Sequence, residues 1–177
     1  MPSRTSTELQ HLFHPSTADL PDILGIQAQC YHSIQPESSA SMEAKLKASP
    51  RTCFMARGPS GEALGYLLAL PWMANQLPEL DASHCHLPET PDCLYLHDLA
   101  IAPRARGSGT ASLLIRHFLQ SLAESTLPVA RLIAIQQSAP FWQRHAFRPV
   151  EPTGALREKI RSYGDDAQLM ERRRKPA

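Results

Sequence analysis

A chain of 177 residues with 42% apolar side chains has the length of one domain and can bury a core without covalent staples. A formal charge of +1, from 18 Lys and Arg against 17 Asp and Glu, argues against a general nucleic-acid binder, which needs a strong basic excess. Four cysteines without CxxC spacing, a polar opening and no apolar run near the ~18 residues of a membrane helix predict a reduced, cytoplasmic protein.

Residues 8–14 alternate weakly and predict a first strand. In residues 19–30, Leu20, Ile23, Leu24, Ile26 and Ala28 fall at helical spacing, with Ser16, Thr17 or Asp19 available as a cap. Residues 38–49 predict a short helix stopped by Pro50. Residues 52–57 and 63–72 flank the turn Gly58-Pro59-Ser60-Gly61 and predict a hairpin. Residues 73–92, with three prolines and little periodicity, read as a long functional loop. An apolar strand follows over 93–102, interrupted by His97 and Asp98. Residues 107–124 predict an amphipathic helix with Leu113, Leu114, His117, Phe118 and Leu122 on its inner stripe. Residues 129–136 read as a buried strand, and residues 138–147 as a short helix with Ser138 as cap and Pro140 in the first turn. Arg148 opens a late strand, residues 167–172 alternate as the last, and the basic run 171–175 reads as a solvated end. Helices interleaved with strands in so short a chain mean a mixed α/β domain.

The segment "HDLAIAPRARGSGTASLLI", residues 97–115, carries the chemistry. A strand ends at Ala102-Pro103 and a helix begins inside the following run. The first N–H groups of a helix lack partners and carry the positive end of its dipole. Gly107 and Gly109 let the backbone approach a bulky anion, Ser108 and Thr110 add hydroxyls, and Arg104 and Arg106 bring charge. That combination makes a pyrophosphate cradle. A Walker loop is excluded because Thr110-Ala111 follows Gly109, and a dinucleotide fingerprint because position 112 is Ser. A glycine-rich helix cap without a ligand is the competing reading.

Arg104-x-x-Gly107-x-Gly109 after "LAIAP" resembles the acetyl-CoA signature of the GNAT acetyltransferase superfamily, and "APFWQRHAF" is similar to that family's second conserved block. "LHDLAI" and "PFWQRHAF" are closest in feel to arylalkylamine-type N-acetyltransferases. The resemblance spans nearly the whole chain. It implies a single GNAT-like α/β domain: a mixed, mostly antiparallel sheet of about six to seven strands, flanked by about four helices. It also implies that Leu99, Ala100 and Ile101 lend backbone groups to the pantetheine arm of acetyl-CoA. The amides from Arg106 through Gly107, Ser108, Gly109 and Thr110 to Ala111 would hold the pyrophosphate, with Phe141 and Trp142 near the thioester.

Acyl transfer to an amine requires that the amine lose a proton and that the departing thiolate be accommodated. Strand alternation puts Tyr95, His97, Leu99 and Ile101 on one face and Asp98 on the other. His97, with an unperturbed pKa near ~6.5, is the candidate general base, a role the arylalkylamine resemblance supports. Trp142 stands where the family commonly has a tyrosine acid, and an indole N–H is no proton source near neutral pH. Tyr163 in "RSYGDD" is the candidate replacement, with solvent as the other. Ala146 stands where the family prefers glycine. "HCHLPETPDC" lacks the spacing of a zinc finger or ribbon, so no metal is expected. Trp72 and Met73 could line an acceptor pocket. The expected activity is N-acetylation of a primary amine on a small molecule, by direct attack in a ternary complex, by a monomer or homodimer that binds neither nucleic acid nor membrane. The alternatives are acetylation of a protein N-terminus or lysine, and a non-catalytic CoA-binding module.

Overall fold

Two serines open the helical layer of the computed structural model, which describes residues 10–31 and 35–176. Ser16 and Asp19 form a reciprocal capping box, with Ala18 N–H donating to Ser16 Oγ (3.3 Å) and Ser16 N–H to Asp19 Oδ2 (2.9 Å). It leads into α1 (Leu20–Cys30), and Ser38 caps α2 (Ser39–Ala48) by accepting from Ser41 N–H at 3.2 Å. Pro50 follows directly on the end of α2, as expected. The strands are β1 (His11–Phe13), β2 (Cys53–Arg57), β3 (Ala63–Trp72), β4 (Cys93–Ile101), β5 (Val129–Ala134), β6 (Arg148–Pro149) and β7 (Gln168–Arg173). The remaining helices are α3 (Thr110–Glu124), α4 (Ala139–Arg144) and α5 (Gly154–Arg161). Of the first predicted strand, residues 8 and 9 lie outside the described residues.

One seven-stranded sheet runs β1-β2-β3-β4-β5-β7-β6, and every neighbouring pair is antiparallel except β4–β5. The α/β, mostly antiparallel architecture is the expected one. Tyr66, Leu67 and Leu68 of β3 and Leu114 and Phe118 of α3 are fully buried in the main core, together with Ile23 and Met42. Burying each such side chain contributes about 1.5–3 kcal/mol, so the sheet's centre anchors the site. Cys53 and Cys93 are buried, and desolvation pushes both thiols up to about 12. Among the described residues no helix is long and apolar enough to cross a membrane.

Three differences from the sequence reading have physical causes. Helix α3 begins at Thr110 rather than residue 107, because Gly107 (φ 80°) and Gly109 (φ 85°) are left-handed and lie in the preceding turn. Helix α5 was not expected: its only buried residues, Leu156 and Ile160, sit one turn apart. They join a small second cluster with Leu77, Cys93, Tyr95 and Leu169. Strict alternation along β4 also fails. Its register against β3 moves from Leu68↔Asp98 to Ala69↔Leu96, so His97 is a bulge with no partner on β3.

Candidate active site

The parallel pairing of β4 with β5 covers Leu94↔Ala130, Tyr95↔Arg131 and Leu96↔Leu132 only. Beyond it β5 pairs with β7 through Ile133 and Ala134, while β4 continues beside β3. The strands part at the His97 bulge and leave a groove of about 580 Å³. One wall is the β4 edge, including Leu99, Ala100 and Ile101. The groove-lining Cys30 donates to the Ile101 carbonyl at 3.2 Å, and the hydroxyl oxygen of Tyr31 lies 3.2 Å from the Leu99 carbonyl.

The groove's anion end is the turn before α3. Arg106, Gly107, Gly109, Thr110 and Ala111 all border it. The Arg106 N–H donates to Pro103 (3.3 Å) and the Ser108 N–H to Ala105 (3.2 Å), so these two amides are spent inside the turn. The amides of Gly107, Gly109, Thr110, Ala111 and Ser112 have no acceptor among the described residues. Ser108 does not border the groove; its hydroxyl donates to the Ala105 carbonyl and its oxygen lies 2.8 Å from Thr110 Oγ1. Arg104 also faces elsewhere, donating to the Ala63 carbonyl at 2.9 Å. The exposed Arg106 is therefore the cation available at this end. A Cβ built on Gly107 would meet nothing within 4 Å, so what demands glycine there is backbone conformation and not a clash within the chain. Gln10 clamps the turn from the other side: its Nε2 donates to the Ser108 carbonyl (3.1 Å) and its Oε1 accepts from Thr110 Oγ1 (2.9 Å).

Phe141 and Trp142 close the groove from α4. This helix ends in a Schellman motif, with Phe147 N–H donating to the Trp142 carbonyl (3.1 Å) and Ala146 N–H to that of Gln143 (3.0 Å). Ala146 sits at φ 62°, the left-handed position where glycine is favoured. The hydrophobic contact that accompanies the motif is Trp142 against Phe147, edge to face at 5.5 Å. Trp142 is thus a rigid, buried wall.

Around the bulge, His97 Nε2 and the carboxylates of Glu37 and Asp98 are partnered. His97 Nε2 contacts Glu37 Oε1, and the other Glu37 oxygen accepts from Ser41 Oγ (2.7 Å) and Lys45 Nζ (2.9 Å). Burial opposes ionisation of Glu37, but the hydrogen bond and charge of His97, with Lys45 and Ser41, hold the carboxyl far below the usual range. Asp98 is buried, and desolvation raises its pKa against the opposing hydrogen bonds donated by the hydroxyls of Tyr31 and Tyr66. Tyr163 does not border the groove. It is half-buried against the second cluster, where desolvation and then the Glu37 charge push its hydroxyl up to about 12.

Sequence reasoning missed Glu37 and Gln10, which reach their partners across 60 and about 100 residues of chain respectively. A smaller cavity of about 250 Å³ lies beyond Lys45 and is bordered by Trp72, His84 and His86 but not by Met73. Among the described residues no three His, Cys, Asp or Glu side chains gather as a metal site would require.

The family model described as "Acetyltransferase (GNAT) family" matches residues 20–147. No curated protein sequence matches the chain. Among solved structures, the loading GNATL domain of CurA from Lyngbya majuscula aligns at TM-score 0.73 and 14% identity, over 93% of this chain and 97% of that one. The ribosomal-protein-S18-alanine N-acetyltransferase from Escherichia coli aligns at 0.67 and 16%, over 95% and 96%. Naa50 from Arabidopsis thaliana, in complex with the bisubstrate analogue CoA-Ac-MVNAL, aligns at 0.66 and 10%, over 93% and 98%. At these identities the structural likeness speaks for the fold alone.

Proposed function

From the premise that this chain belongs to the acetyltransferase (GNAT) family, we propose that it transfers an acetyl group from acetyl-CoA to a primary amine of a small molecule, by direct attack in a ternary complex. The observation that carries this reading is the continuity of one groove. It joins unpartnered amides and Arg106 at one end to the His97 bulge and the Trp142 wall at the other. The residues fit the group: several free N–H donors and a guanidinium suit a pyrophosphate, and a strand edge suits the amides of a pantetheine arm.

When bound, acetyl-CoA supplies the activated acyl group. Gly107, Gly109, Thr110 and Ala111 would bind its diphosphate through their amides, with Arg106 adding charge and Ser108 shaping the turn. Leu99, Ala100 and Ile101 would align the arm as an added strand does. Phe141 and Trp142 would exclude water beside the thioester. His97 would accept the amine's proton. A thiol has a pKa near ~8.5, so the thiolate is a tolerable leaving group and needs no acid at the moment of C–S cleavage. Tyr163 does not border the groove, so in this reading the sulfur takes its proton from solvent after departure and Tyr163 is not proposed as the acid.

A protein N-terminus or lysine is the second reading of the acceptor; the similar structures include a ribosomal-protein-S18-alanine N-acetyltransferase. Thiol release from acetyl-CoA is the test, run alone, with a panel of arylalkylamines and polyamines, and with peptides. Amine-dependent release by small molecules supports the proposal, and release only with peptides moves the acceptor class. No release with any of them contradicts the enzyme reading and leaves a CoA-binding module.

A further inference from the structure

We propose that Glu37 is the positioning residue for His97: its carboxylate accepts the Nε2–H of the imidazole and so fixes the tautomer in which Nδ1 carries the lone pair that takes the amine's proton. This rests on the reading of His97 as the base. An ionised carboxylate only accepts, so the nitrogen touching Glu37 carries the proton and the other ring nitrogen is left to accept. Nδ1 has no hydrogen-bond partner among the described residues.

Glu37 is itself held at both ends. The side-chain amide of buried Gln27 donates to the Glu37 carbonyl and accepts from its N–H, both at 3.0 Å. Lys45, only 2% exposed, bonds Glu37 Oε2 and Ser41 Oγ at 2.9 Å each, and leaves Oε1 to His97. A buried ion pair is weak evidence for stability, since apolar residues can often replace it at no loss. An ion pair serving only to bury Lys45 would need one carboxylate oxygen. Here the second oxygen is spent on the ring at the point where the groove opens. Titratable groups around the pair include Asp98 beside His97 in the chain, Tyr31 on the Asp98 carboxylate, Tyr95 with ring centroids 6.2 Å from His97, and Tyr163, which senses the Glu37 charge.

As the amine nitrogen bonds to the acyl carbon, the C–S bond breaks with its electron pair on sulfur, and the amine's proton goes to Nδ1. The resulting imidazolium is stabilised by Glu37 and returns its proton to water.

The test uses the full chain with acetyl-CoA and its best amine. Glu37→Gln alone strands the buried Lys45 charge, so the Glu37→Gln/Lys45→Met variant carries the measurement, beside His97→Ala. The double variant is expected to lose at least tenfold in kcat, with the KM for acetyl-CoA within about twofold, as removal of an orienting carboxylate does elsewhere. A role confined to folding would lower stability without this split between kcat and KM. Wild-type kcat in the double variant, with His97→Ala crippled, overturns the Glu37 proposal and spares the base reading. Wild-type turnover in His97→Ala overturns both. Independently of any variant, the imidazole nitrogen resonances of His97 in the wild-type protein should report protonated Nε2 and bare Nδ1; the opposite tautomer overturns the proposal.

Discussion

Ala146→Gly should stabilise this protein, against the usual rule that glycine weakens a fold. Ala146 is the left-handed residue of the Schellman motif that ends α4, at φ 62°, and an L side chain there costs about 1–2 kcal/mol. Glycine removes that cost but returns about 0.4–1 kcal/mol through the greater freedom of the unfolded chain. The net expectation is a gain of about 0.5–1 kcal/mol, or roughly 1–4 °C in Tm for a chain of this size. Gly107→Ala supplies the mirror experiment. At φ 80°, with nothing within 4 Å of the added Cβ, it incurs the same conformational cost with no clash and should lower Tm by a comparable amount. Urea titration and calorimetry of both variants give the two signs. The assignment of strain at these corners is refuted if Ala146→Gly is neutral or destabilising, or if Gly107→Ala leaves stability unchanged.

Tyr163→Phe should change kcat by less than about twofold; a tenfold loss with acetyl-CoA binding intact would make Tyr163 the acid after all. Gln10→Ala removes both hydrogen bonds that brace the turn before α3, and a loss of about 1.4 kcal/mol would weaken acetyl-CoA binding about tenfold by calorimetry while saturated turnover persists. Glu37 has a depressed folded-state pKa, so its stabilisation is complete above the unfolded value near ~4.3 and is lost as pH falls through the folded one. Acid titration of wild type should accordingly show stability falling below about pH 4, and the Glu37→Gln/Lys45→Met variant should show a shallower fall.

What the sequence disclosed were features encoded within one element. Gly107 and Gly109 announce the left-handed turn, and Leu114, Phe118 and Leu122 repeat at helical spacing, so the turn and α3 were legible apart from a three-residue error in the helix start. The apolar run broken by His97 marked β4, although a bulge leaves no signature in a single strand: it is a property of the register between β3 and β4. Glu37 carries no local signal beyond an acid beside the Ser38 cap, and its role appears only when the segment entering α2 packs against β4. Gln10 is equally silent, an amide in a short edge segment until the fold brings it to Ser108 and Thr110. The amphipathic signal of α5 rests on Leu156 and Ile160 alone, too short a pattern to separate from a loop.

Amide hydrogen exchange with and without saturating acetyl-CoA tests the central claim most directly, because it reads the proposed binding groups one by one. The account predicts slowed exchange at Gly107, at the amides from Gly109 to Ser112 and along the Leu99–Ile101 edge, with α5 and β7 unchanged. Absence of protection at the turn before α3, or protection confined to another surface such as the loop over residues 73–92, would contradict it.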